Sequence, residues 1–136
     1  MTMTQLQFEL TAPEQKAFDK PVAMVTVPSS AGIYSVLIGH APMVTDVAPG
    51  VVEIYENDQT TVSSRLFVTG GYCEVTTTRC SLMADEILDL ATFDKSEIEA
   101  EIAALIKARG ELGPEESDDE IEAKLAIEMT KLQVVA

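Results

Sequence analysis

The feature that most constrains this chain is a change of hydrophobic period at Ala84–Asp85. Before that point apolar residues alternate with polar ones or come in short β-branched runs cut by glycine and proline. Beyond it they recur at helical spacing. Such a switch calls for two differently built parts joined in series. A chain of 136 residues has room for one small domain and an appendage.

The first part is organised around Gly32 to Gly50, GIYSVLIGHAPMVTDVAPG. Breaks at Gly39-His40-Ala41-Pro42 and Ala48-Pro49-Gly50 bracket short apolar runs, as in a chain turning corners within an all-β unit. Leu6, Phe8 and Leu10 alternate with Gln5, Gln7 and Glu9, which predicts a half-buried edge-type strand ended by Pro13. Gln15 to Phe18 is expected as a short return. Val22 to Val27 is expected as one central strand ending at Pro28, and Ile33 to Ile38 as the next. Val51 to Tyr55 and Thr61 to Val68 flank the polar turn Glu56-Asn57-Asp58-Gln59, and a last hairpin pairs Tyr72–Thr76 with Arg79–Met83. Short strands at regular intervals favour a sandwich or flattened barrel over a parallel sheet.

In the second part Ile98, Ile102, Leu105 and Ile106 fall on one helical stripe, and Ile121, Leu125, Met129 and Leu132 on another. Asp94, three residues before Glu97, is an N-cap candidate, and Ser117-Asp118-Asp119-Glu120 is a second capping box. Gly110 and Gly113-Pro114 break the run between them. The fold class is therefore an all-β sandwich N-terminal domain followed by a C-terminal antiparallel α-helical hairpin. The expected domains are 1–88 and 89–136, with helices over 95–109 and 118–133. Isolated helices of this length are marginal in water, so the pair must lean on each other.

Composition excludes several functions. The net charge of −14 argues against nucleic acid or anionic lipid as direct partners. Residues 1–88 hold 10 acidic and 4 basic side chains (net −6), and 89–136 hold 13 and 5 (net −8), so the hairpin is the more densely charged part. No apolar run approaches the roughly 20 residues that span a bilayer. The N-terminal MTMTQLQFEL has no secretory core and no Arg-rich transit character, which leads us to expect a cytoplasmic or already processed chain. Cys73 and Cys80 flank Thr76-Thr77-Thr78, where a tight hairpin could bring them together. They are expected as reduced, strand-packing thiols. With one histidine and no CxxC, neither a zinc site nor a metal cofactor is expected.

Four stretches taken in order carry a resemblance: GHAP at Gly39–Pro42, PGVV at Pro49–Val52, TGGYCEV at Thr69–Val75 and SLMADE at Ser81–Glu86. Together they resemble the epsilon subunits of F-type ATP synthase, and the plan of sandwich then hairpin does too. The resemblance implies a noncatalytic rotor subunit of the central stalk that links the gamma subunit to the c-ring and helps couple proton transport to ATP synthesis. It implies no catalytic residue and no cofactor. It assigns Gly32, Ile33 and Tyr34, as a loop tip, to the c-ring side. His40, Ala41 and Pro42 fall to the gamma side. Membrane association would be indirect, at the cytoplasmic face of a bacterial inner membrane, with a mitochondrial or chloroplast inner face as the alternative.

In that family the hairpin folds on the sandwich or extends toward the alpha and beta subunits to inhibit hydrolysis, and some bacterial members bind ATP with it. Those members have an acidic residue followed three positions later by arginine. Here the positions are Asp94 and Glu97, and the hairpin's single arginine is Arg109. A carboxylate repels a triphosphate, so weak or absent ATP binding is expected. The resemblance also implies that basic side chains of the hairpin engage acidic regions of the catalytic subunits, and the net −8 here leads us to expect weak inhibition. The alternatives are an ATP-sensing inhibitor on the same fold, and an unrelated acidic β-sandwich adaptor for a basic partner.

His40 is the only candidate for histidine catalysis, and its motif supplies no serine, cysteine or carboxylate partner. A contact role is expected instead. Gly70-Gly71 lacks a following Lys-Ser/Thr and reads as turn glycines rather than a phosphate loop. Tyr34 reads equally well as an interface anchor and as a strand residue packed on the sandwich.

Overall fold

The computed structural model describes residues 5–112 and 119–135. Its chain divides into two compact units, Met1–Leu90 and Ala91–Ala136.

Ten strands make up the first unit: β1 (Leu6–Ala12), β2 (Gln15–Val22), β3 (Met24–Ser29), β4 (Gly32–Val36), β5 (Met43–Val47), β6 (Gly50–Tyr55), β7 (Ser64–Val68), β8 (Gly71–Val75), β9 (Arg79–Ala84) and β10 (Ile87–Leu88). They form two five-stranded sheets, ordered β2-β1-β9-β8-β5 and β10-β7-β6-β3-β4. All neighbours are antiparallel except β1 and β9, which run parallel.

The period-2 pattern works as expected in β1. Leu6, Phe8 and Leu10 are fully buried, and they meet Val52 and Ile54 of β6 and Leu82 of β9 in one core. The expectation of an edge strand does not hold, because β1 is hydrogen-bonded on both sides, to β2 and to β9. Alternation reports burial of one face and says nothing about the strand's flanks.

The Val22–Val27 run is also not one strand. Val22 closes β2 in the first sheet, and Met24 opens β3 in the second. A chain changing sheets across a shared core stays apolar on both sides of the corner, which hides the break. Pro28 does not end β3 but pairs with Ile33. The β3–β6 ladder stops at Thr26, so the missing N–H of Pro28 is demanded by one neighbour at most. β4 stops at Val36, before Leu37 and Ile38, and β7 begins at Ser64 rather than Thr61. Ahead of β7, the Asp58 carboxylate accepts hydrogen bonds from the Thr60 and Thr61 amides at 2.9 and 2.6 Å, an Asx turn that uses up those residues.

In the second unit α1 (Lys95–Gly110) and α2 (Asp119–Val135) lie close to the expected spans. The break at Gly113-Pro114 and the capping box from Ser117 lie outside the described residues. Ile98, Leu105 and Leu125 are buried, but Ile106 and Met129 are 44% and 47% exposed. The seam thus follows Ile98, Ile102 and Leu105 on α1, and the wider stripe read from sequence overshoots it by one position per helix. Gly110 does not adopt a left-handed conformation. The helix closes through Glu111, whose amide donates to the Ala108 carbonyl, while the Leu112 amide donates to that of Arg109. This is a tightened last turn in place of a glycine cap.

Candidate interaction surfaces

β3 and β4 form a two-residue hairpin. Ser29 pairs with Gly32, and Ser30 and Ala31 occupy the turn. Gly32 has φ +123°, and its carbonyl accepts the Ser29 hydroxyl at 2.6 Å. Gly32, Ile33 and Tyr34 are therefore strand residues and not the tip itself. Their side chains part company. Ile33, on the edge strand of its sheet, is 74% exposed, as is Val44 of β5 at 71%. Tyr34 faces inward, and its hydroxyl shares a 2.5 Å hydrogen bond with Thr45 Oγ1 on β5 of the other sheet. Burial pushes the Tyr34 phenol above its ordinary range. The tip is held from the other side by Asp46, whose two carboxylate oxygens accept the Ser30 amide and hydroxyl, each at 2.9 Å. These bonds hold the Asp46 carboxyl below the usual range.

The Gly39–Pro42 segment lies at the opposite end of β4. The Gly39 amide donates to Thr77 at 2.7 Å, which ties this link to the β8–β9 turn. The His40 amide donates to Leu37, and Nδ1 donates to the Ala41 carbonyl at 2.7 Å. A carbonyl can only accept, so this bond puts a proton on Nδ1. Among the described residues the hydrogen bonds of His40 go to backbone alone, with no serine, cysteine or carboxylate in them. Ala41 and Pro42 are exposed. The residues expected on the c-ring and gamma sides thus lie toward opposite ends of β4, with Gly32 opening the strand and His40 following it. They make two surfaces and not one site.

Gly71 shows why the diglycine is structural. Its φ is +138°, and a Cβ there would stand 2.1 Å from the Met83 carbonyl oxygen. Close pairing of β8 on β9 requires a residue without a side chain. Nearby, a shallow cleft of about 290 Å³ opens between the β1–β2 turn and β8–β9, lined by residues including Pro13, Tyr72 and Asp85. Sequence reasoning missed it, because strands distant in the chain build it. Among the described residues no group of three or more His, Cys, Asp or Glu side chains is placed to hold a metal ion.

In the hairpin unit Asp94 is the N-cap of α1. Its carboxylate accepts the Ser96 amide and hydroxyl at 2.9 and 2.7 Å and the Glu97 amide at 3.3 Å. The Ser96 hydroxyl and these amides keep the carboxyl below its usual range. Glu97 lies in the first turn, where a negative charge favours the helix dipole and opposes an incoming phosphate. Arg109 joins Glu122 on α2 at 2.7 Å.

Comparison with known proteins adds to this geometry. Residues 5–89 match the family described as ATP synthase, Delta/Epsilon chain, beta-sandwich domain. An ATP synthase epsilon chain of Rhodospirillum centenum is 42% identical, over 97% of this chain and 92% of its own length. One of Rhodospirillum rubrum is 41% identical over 72% of each. Among solved structures, a chain of the Euglena gracilis mitochondrial ATP synthase superposes with a TM-score of 0.74 at 24% identity, covering 98% of this chain and 81% of that one. A chain of the Tetrahymena thermophila mitochondrial ATP synthase central stalk and c-ring structure gives 0.59 at 16% identity, covering 99% and 98%.

Proposed function

The chain belongs to the ATP synthase delta/epsilon family, and from that premise we propose that it works as a noncatalytic rotor subunit of the central stalk, gripping the gamma subunit and the c-ring. What carries this reading is the 42% identity to an epsilon chain over 97% of this chain, sandwich and hairpin alike. The geometry supports it. A rotor coupling needs two grips on a stiff body, and the β4–β5 side of the sandwich offers exposed groups at both ends. Ile33 and the Ser30–Asp46 tip serve the c-ring. His40, Ala41 and Pro42 serve gamma. The core between them passes torque without bond chemistry. No helix among the described residues is long and apolar enough to cross a membrane. Attachment at the cytoplasmic face of a bacterial inner membrane would run through the complex.

The test is reconstitution. Added to head and stalk subunits lacking it, the chain should co-purify with them and restore ATP-driven proton pumping in membranes. Failure to bind the gamma subunit would end this reading.

The hairpin is a brace and not a nucleotide sensor. Asp94 is committed to capping α1, Glu97 stands where a triphosphate would need a cation, and Arg109 is engaged by Glu122. Titration of the chain with magnesium ATP should show no tight, saturable binding. The acidic hairpin is likewise a poor match for the acidic regions of the catalytic subunits that the family's hairpin engages. Removing residues 89–136 in the assembled enzyme should leave ATP hydrolysis nearly unchanged, and a several-fold rise would restore the inhibitory role.

A further inference from the structure

The rotor reading leaves one pair of nucleophiles unused. Val75 pairs with Cys80 and Cys73 with Leu82 across the β8–β9 hairpin, so the two cysteines are diagonal neighbours on the inward face. Both are fully buried free thiols, and their sulfurs stand 3.4 Å apart, in van der Waals contact. Thr45, paired with Cys73 across β5–β8, brings the Tyr34 hydroxyl over the same spot. We propose that Cys73 and Cys80 form a dithiol site that a small uncharged hydroperoxide converts, reversibly, to a disulfide across the β8–β9 hairpin. This inference is independent of the rotor reading.

The roles of the two sulfurs differ. Hydrogen bonding from Cys80, then from Tyr34, holds the Cys73 thiol below its ordinary range, whereas the Cys80 thiol is raised by its bond to Cys73 and by burial. Cys73, paired with the Thr45 that holds the Tyr34 hydroxyl, is the sulfur with a hydroxyl beside it and is the attacking thiolate. It takes the nearer peroxide oxygen, the O–O bond breaks, and the departing hydroxide picks up a proton to leave as water. Cys73 is then a sulfenic acid. Cys80 attacks its sulfur, the S–O bond breaks, and the hydroxide leaves with the Cys80 proton as a second water. Two thiols are oxidised to one disulfide, and one hydrogen peroxide is reduced to two waters.

Contact between the sulfurs makes the second step intramolecular and fast relative to capture by another chain. The first step is slow, because peroxide must enter past β5, a strand hydrogen-bonded on one side only. Reversibility follows from strain. Diagonal strand neighbours have Cα atoms about 7–8 Å apart, beyond the roughly 4.4–6.8 Å that a relaxed bridge spans. Closing the sulfurs to about 2.05 Å therefore pulls on the hairpin, and strained bridges are the easily reduced ones.

The test exposes the full native chain to hydrogen peroxide, then alkylates residual thiols in denaturant. Both cysteines should lose alkylation together, with the intact mass lower by two hydrogens and full recovery by dithiothreitol. Trypsin cuts after Arg79, so the product should appear as two peptides joined through Cys73 and Cys80. In Cys80→Ser the sulfenic acid should persist on Cys73 and react with dimedone. Tyr34→Phe should slow the first step several-fold. Independent loss of the two thiols, sulfinic acid in the wild-type protein, links only between chains, or linkage only in denaturant would each overturn the proposal.

Discussion

Asp46 on β5 accepts both the amide and the hydroxyl of Ser30, each at 2.9 Å, and so pins the β3–β4 turn of one sheet to the edge strand of the other. Both oxygens can accept fully only while the group is ionised, which ties the shape of this end of the sandwich to pH.

Because the folded-state pKa of Asp46 is depressed, its contribution is complete above the unfolded value of about 3.9. It is lost as pH falls through the lower folded value. Urea unfolding of wild type and Asp46→Asn should give a constant stability gap from neutral pH to about 5, and the gap should close in more acid solution. Asp58 and Asp94, lowered by the amides and hydroxyls they accept, act in the same direction and steepen the acid limb of the wild-type curve.

Gly32 and Gly71 share a left-handed φ but differ in what surrounds them. A Cβ at Gly32 meets nothing within 4 Å, and one at Gly71 meets the Met83 carbonyl at 2.1 Å. Gly32→Ala should cost about 1–3 kcal/mol from backbone strain alone. Gly71→Ala must add the loss of β8–β9 pairing and should cost clearly more, or prevent folding, when the two midpoints are compared in urea.

Leu125 is 2% exposed and Met129 is 47% exposed, although both lie on the stripe read from sequence. Leu125→Ala should cost the hairpin about 2–5 kcal/mol, with a matching loss of helical circular dichroism on mild heating. Met129→Ala should change stability by less than about 0.5 kcal/mol. Equal effects would refute the seam described above.

Ile33 has little packing to lose, so Ile33→Asp should leave the melting temperature of the isolated chain within a few degrees of wild type. In the assembled enzyme the same change should weaken attachment to the c-ring, seen as reduced ATP-driven proton pumping with ATP hydrolysis retained. An unaltered pumping rate would remove Ile33 from the proposed grip.

The two-part plan was legible because the period of the apolar residues is a local property. Leu6, Phe8 and Leu10 declare one buried face, and Asp94 ahead of Lys95 declares a helix start, wherever the rest of the chain goes. The hairpins were legible for the same reason, since Asp58, Gly32 and Gly71 act on their own backbone. The candidate surfaces were legible only as positions. Sequence could not say that Ile33 faces solvent while Tyr34, one residue on, reaches Thr45 in the opposite sheet.

Sequence by itself thus determined that a β part gives way to a helical one, which faces are apolar and where the chain must turn. The short strand β10 (Ile87–Leu88) lies beyond the change of period at Ala84–Asp85 and was not read from it. Tertiary structure decided which strand lies beside which: that β1 is flanked on both sides, that the Val22–Val27 run divides between sheets, and that Cys73 rests against Cys80 beneath Tyr34. The physical reason is range. Propensity, capping and period act over a few residues, whereas strand neighbours and sheet changes are settled by how separate segments fill one shared core.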